Sequence, residues 1–209
     1  VNEMPEIKEI SKKQILIFDA VLKQLNEGAN FYNLKVADIA ATAGIGKGTV
    51  YEYFKSKDDI IIGAILYNFD LLVEDLNAKL SGEKDFDNML EVFFDCIDNA
   101  IKDNAKTFYL LFQNIPPQEK PMMCAGENKG IFSQRQKSVK DAVGRILKVG
   151  ITQGKIKLHS IDKMNFVLNS TIMGYINSFL PLPSCDVNPK VNIKKLHKYA
   201  KDFIILNLQ

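Results

Sequence analysis

The chain has 209 residues, 46% of them hydrophobic and 25% charged, with a formal net charge of +2. That length suffices for one large or two small domains with a real core, and the balance excludes a disordered or fibrous chain. The longest apolar run, Ile60–Tyr67, is far too short to span a bilayer, and the polar start VNEMPEIKEI lacks the apolar segment of a secretory signal, so neither a membrane partner nor export is expected. In chain order every predicted element is a helix. Lys12–Asn26 places Ile15, Phe18, Val21, Leu22 and Leu25 at helical spacing, with Gly28 beyond its end. Val36–Ala43 and a second short helix to Phe54 follow. Ser56-Lys57-Asp58-Asp59 opens a fourth helix that runs to about Leu80, with Ser56 as its cap and two aspartates suited to the positive end of the helix dipole. Ser81-Gly82-Glu83 breaks it. Phe86–Asp103 and Thr107–Gln113 are predicted as two separate helices, ahead of a loop containing Pro116, Pro117 and Pro121. Long helices are then predicted over Asn128–Thr152, stopping at Gly154, over Ser160–Phe179, and over Ile193–Asn207. The expected fold class is all-α, with no internal repeat and no strand-like alternation.

The informative stretch is Val36–Phe54, VADIAATAGIGKGTVYEYF. Val36, Ile39, Ala40 and Ala43 form one apolar face, and Gly44 ends the helix because glycine takes a positive φ at no steric cost. Ile45 plugs the turn, while Val50 and Phe54 continue the stripe on the second helix. The opposite face of that helix carries Lys47, Gly48, Thr49, Tyr51 and Tyr53, side chains suited to phosphates and base edges. This is the pattern of a helix-turn-helix. Two other readings compete with it. GIGKGT looks like a fragment of a phosphate-binding loop and would make the chain a nucleotide phosphotransferase, but Ala41 stands where the first glycine belongs and Gly48 where Ser or Thr should follow the lysine. The other alternative is a helical adaptor without DNA binding. Charge offers no shortcut: residues 1–60 hold eight lysines against nine acids, whereas from Lys35 to Lys57 four lysines face only Asp38 and Glu52, so any electrostatic footprint is local.

The core IAATAGIGKGTVYEYFKSKDDI resembles the signature of the TetR family of transcriptional repressors, I-A-x-x-A-G-V-S-K-G-T-L-Y-x-Y-F-x-x-K-x-x-L, and FDAVLKQL is similar to that family's first helix. The resemblance covers about residues 12–65. It implies an N-terminal three-helix DNA-binding domain, residues 1–56 with the motif at 35–54, followed by a larger helical effector-binding and dimerisation domain, residues 57–209. It further implies a ligand-responsive repressor that acts as a cytoplasmic homodimer on a near-palindromic, double-stranded operator. Lys35 stands where the family has Thr and cannot cap the second helix, though it can reach a phosphate. Gly46 stands where the family has Ser and is an acceptable cap. The implied DNA contacts are Lys35, Lys47, Gly48, Thr49, Tyr51, Tyr53 and Lys57, with Tyr51 preferred over Tyr53 because it shares a face with Lys47.

No catalytic constellation is evident, so no enzyme activity and no cofactor are expected. Asp95 and Asp98 read as a solvated face. His159 and His197 have no ligand-like neighbours and read as surface residues, so no metal site is expected. Cys96, Cys124 and Cys185 are odd in number and far apart, which argues against a disulfide framework and for a reducing compartment. Aromatic and methionine residues are dense between Phe93 and Met173. Most belong to a core, and Phe108, Phe112, Phe166 and Asn169 are the candidates for lining an apolar or amphipathic effector's cavity. The last two helices carry apolar stripes wider than one neighbour covers. Leu168, Ile172, Tyr175, Phe179, Leu196, Ala200 and Phe203 are therefore expected at a four-helix dimer interface.

Overall fold

A computed structural model describes residues 10–29, 33–112, 128–179 and 192–209, with side chains described at all of these except 102–112 and 128–136. The described residues form eight helices: α1 (Lys12–Asn26), α2 (Val36–Ala43), α3 (Lys47–Tyr53), α4 (Lys57–Leu80), α5 (Phe86–Phe112), α6 (Asn128–Thr152), α7 (Ile161–Asn177) and α8 (Ile193–Leu208). They belong to two compact units, Val1–Phe69 and Asp70–Gln209. The divide lies inside α4 rather than ahead of it. Ile60, Ile61, Ala64 and Ile65 are fully buried in the N-terminal unit, so the first half of α4 belongs to that core.

Local chemistry explains the helix ends of the N-terminal unit. The Ser11 hydroxyl accepts from the Gln14 N–H at 3.3 Å, and the Gln14 side chain accepts from the Ser11 N–H at 3.0 Å, a reciprocal capping box that starts α1. α4 begins the same way, with the Ser56 hydroxyl accepting from the Asp59 N–H and the Asp59 carboxylate accepting from the Ser56 N–H. Gly44 sits at φ 69°, ψ 28°, and the N–H groups of Gly44 and Ile45 close back onto the last carbonyls of α2. Lys35 occupies the cap position of α2 without a side-chain hydrogen bond, and so does Gly46 at α3. The core beneath is Ile17, Val21, Leu25, Ile39 and Val50 with Phe18, whose ring lies 5.5 Å from both Phe54 and Tyr67. Gly63 faces that ring so closely that an added Cβ would lie 2.7 Å from it.

In the C-terminal unit, Phe86, Phe94, Ile97, Ile146, Tyr175 and Ile204 form the centre of a core to which α4, α5, α6, α7 and α8 all contribute. Ser160 and Asn192 cap α7 and α8 by accepting from the N–H three residues on. α5 is one continuous helix, not the two predicted. The polar run Lys102–Lys106 breaks the apolar period but contains no glycine or proline, and losing an apolar face does not end a helix. Two further expectations are corrected here. His197 is 3% exposed and Asp98 is also 3% exposed, so neither belongs to the surface. Both turn inward because each finds polar partners there.

Candidate nucleic-acid interface

α3 buries Val50 and leaves the rest of its surface to solvent. Lys47, Gly48, Tyr51, Glu52 and Tyr53 are exposed, and Thr49 is half-buried. Tyr51 is 50% exposed against 36% for Tyr53, and the Lys47 ammonium lies 5.9 Å from the centre of the Tyr51 ring. Lys47 and Tyr51 therefore share one face, a cation resting on an aromatic whose hydroxyl is free to donate. Gly44 fixes the angle at which α3 leaves α2. A hydrogen bond from Gln24 to the Thr42 hydroxyl, 2.9 Å long, pins α2 to α1 on the flank. Lys35 is exposed beside the start of α2, and Lys57 is half-buried at the start of α4. A short helix is thus held out beside α1 and α2, with one lysine, one threonine and two tyrosines on its free side. The element preceding GIGKGT is α2, a helix, where a phosphate-binding loop requires a strand.

The C-terminal unit carries a cleft of about 470 Å³ between α6 and α7, lined by Val143, Leu147, Met164, Leu168 and Ile172, with Lys140 and Asn169 as polar groups. Of the residues expected to contact an effector, Asn169 lines this cleft. Phe166 does not. It is 71% exposed, on the opposite side of α7 from the face that Met164, Leu168 and Ile172 share. Phe108 and Phe112 lie outside the residues whose side chains are described.

α7 and α8 pack on one another, and the groove between them, about 200 Å³, is lined by Ser170, Gly174, Ser178, Leu196, Tyr199 and Phe203 among others. The expected interface stripe divides accordingly. Tyr175 and Ala200 are buried within the chain itself, which corrects their placement at an interface: Tyr175 packs on Phe94 of α5 and His197 of α8, and Ala200 lies between α7 and α8. Leu168 and Ile172 face the α6–α7 cleft, and the Phe179 ring lies 5.5 Å from that of Tyr175, tilted against it. Phe203 stays exposed, joined by Tyr199 at 64% and Leu206 at 72%, neither of which the stripe included.

A buried polar chain links α5, α7 and α8. The Tyr175 hydroxyl donates to Asp98 at 2.6 Å, and the other Asp98 oxygen lies 2.8 Å from His197 Nε2. His197 Nδ1 lies 2.7 Å from Glu91, whose second oxygen accepts from Lys201 at 2.6 Å. Burial, reinforced by Asp98, holds the Tyr175 hydroxyl far above its ordinary range, so it remains a donor. Sequence reading missed this chain. Its only trace is the spacing Glu91, Asp95, Asp98 on α5 and His197, Lys201 on α8, which puts each set on one helix face. Burial pushes the Cys96 thiol up to about 11, so it is no nucleophile.

Residues 17–64 match the family model of bacterial regulatory proteins, tetR family. The fatty acid metabolism regulator protein of Bacillus subtilis (strain 168) is 38% identical over 74 residues, which span 35% of this chain and 38% of that protein. The whole chain is similar in fold to the transcriptional regulator FadR from Bacillus subtilis in complex with stearoyl-CoA, at a TM-score of 0.72 and 17% identity over 93% of this chain and 99% of that one. It is also similar to AibR in complex with isovaleryl coenzyme A and operator DNA, at a TM-score of 0.66 and 12% identity over 93% of this chain and 98% of that one. Among the described residues no helix is long and apolar enough to cross a membrane.

Proposed function

Starting from an N-terminal domain that belongs to the tetR family of bacterial regulatory proteins, we propose that the chain is a ligand-responsive transcriptional regulator that binds a near-palindromic operator as a cytoplasmic homodimer. The observation that carries this reading is α3: exposed, preceded by a left-handed glycine turn, and armed on its free side with Lys47, Thr49 and Tyr51. Such a helix enters the major groove with its N-terminal end at the bases, where Lys47 reaches guanine or phosphate and Thr49 reaches phosphate or a thymine methyl. Lys35, Tyr53 and Lys57 contact backbone phosphates, and Gly48 lets the main chain come close. Phe203, Tyr199 and Leu206 are covered by the same helices of a second copy, completing a four-helix bundle.

The effector is an acyl thioester of coenzyme A, with its acyl chain in the α6–α7 cleft. The support is an apolar lining of Leu147, Met164, Leu168 and Ile172 with Lys140 as the cationic group, together with the coenzyme A thioesters held by two proteins of this fold. Binding lowers operator affinity by the ligand's differential affinity for two conformations, typically about 1–3 kcal/mol. The chemistry is recognition and not catalysis.

The test is selection of bound sequences from a random duplex pool with the purified chain, then titration of the winning duplex with and without stearoyl-CoA. Enrichment of a near-palindrome whose affinity falls with salt, and about 5- to 150-fold weaker binding with the thioester, is the expected result. An unenriched pool would overturn the DNA-binding reading. Unchanged affinity at saturating thioester would overturn the effector.

A further inference from the structure

Three carboxylates converge on His197, whose side chain is 4% exposed. Its Nε2 lies 2.8 Å from Asp98, a carboxylate that also accepts from the Tyr175 hydroxyl. Its Nδ1 lies 2.7 Å from Glu91 Oε1 and 4.0 Å from Asp95 Oδ1. All three are electron-pair donors. Lys201 does not fill the gap, since it binds the far oxygen of Glu91.

We propose that Glu91, Asp95 and His197 form a binding site for one divalent first-row transition ion, with zinc as the reference ion. The three ligand atoms already lie within 4.8 Å of one another. Zinc bonds of about 2.0–2.2 Å to nitrogen and oxygen put tetrahedral ligand atoms roughly 3.4 Å apart. Glu91 must retreat slightly and Asp95 swing in, and both side chains are free to do so at 43% and 60% exposure, whereas His197 at 4% is fixed. The fixed ligand is the one whose orientation matters, and it carries the support a metal-bound histidine needs. Its remote Nε2 lies within hydrogen-bond distance of Asp98, and Asp98 accepts from Tyr175, the arrangement of a carboxylate–histidine–metal relay. Two carboxylates balance the charge of a divalent ion, and the exposed side leaves a fourth position for water. The imidazole selects a transition ion over magnesium or calcium, which take oxygen alone. The ion would join α5 to α8 where Lys201 and Glu91 already bridge them.

The experiment titrates chelator-treated full-length chain with cobalt(II), read by its visible d–d absorption, and with zinc, read by calorimetry and thermal unfolding. One ion per chain, a cobalt spectrum of low coordination number and a raised melting temperature are expected. Asp95→Asn, a substitution at an exposed position, should weaken binding by about 100-fold while the metal-free chain melts unchanged. Asp98→Asn should weaken it by about 10- to 100-fold, as second-layer partners do. His159→Gln should leave it intact. Absence of a bound ion would overturn the proposal, and so would cobalt binding that survives both Asp95→Asn and Glu91→Gln. The assay uses no DNA, so its failure leaves the regulator reading standing.

Discussion

Lys47 and Tyr51 lie one turn apart on a seven-residue helix, and their pairing makes the division of labour on α3 testable. Lys47→Ala should change which base is preferred, at a cost of about 1–3 kcal/mol per half-site on the best sequence. Equal losses on selected and random duplexes, measured by anisotropy, would remove Lys47 from base reading. Tyr51→Phe keeps the ring under the ammonium and deletes only the hydroxyl, so it should weaken all sequences alike by about 0.5–1.5 kcal/mol. Behind them, Gly63→Ala would press a methyl against the Phe18 ring, which Phe54 and Tyr67 hold in place. We expect about 1–3 kcal/mol of destabilisation in urea unfolding, and recovery when Phe18→Leu makes room. The α3 side chains were legible because turn, cap and face all fall within twenty residues. His197 was not. Its partners sit about a hundred positions away on α5, and nothing near it in sequence tells a buried imidazole from an exposed one.

Helix ends were read well wherever one residue decides them. Ser56 accepts the hydrogen bond that a cap must, and Gly44 takes the conformation that only glycine adopts cheaply, whereas Ser11, Ser160 and Asn192 are caps that the sequence reading did not name. Reading failed at α5, where a polar interval was taken for an end, and over the stripes of α7 and α8, where period reveals an apolar face but not its neighbour. Tyr175 turns to α5 and α8 and Ala200 to α7, while Phe166, Tyr199 and Leu206 are left outside. This sorting yields a sharper test of dimerisation than any buried position. Phe203→Asp and Leu206→Asp change side chains already in solvent, so they should leave melting of the monomer within about 0.5 kcal/mol. In sedimentation velocity they should convert a dimer to a monomer, because each charge would be buried unpaired against the second copy. A dimer that persists in both variants places the interface elsewhere.

At the scale of the molecule, the net charge of +2 is too small to draw the whole chain to DNA, so affinity rests on a few lysines. Lys57→Ala should weaken selected and random duplexes equally and reduce the salt slope by about 2 in a dimer, roughly one per subunit. Filling the α6–α7 cleft with Ile172→Trp should leave operator binding intact and abolish its response to stearoyl-CoA. The all-helical architecture was evident from the sequence because every segment carries one period. The cleft was not, because a cavity is a property of what two helices fail to fill. The apolar strip of Tyr199, Phe203 and Leu206 has a consequence for gene dosage. If two copies must meet before either can hold an operator, then at low abundance the competent species grows as the square of the number of chains. Halving expression would cut occupancy to about a quarter, so a modest change in the regulator's own synthesis would act as a switch in its own right, with no effector present.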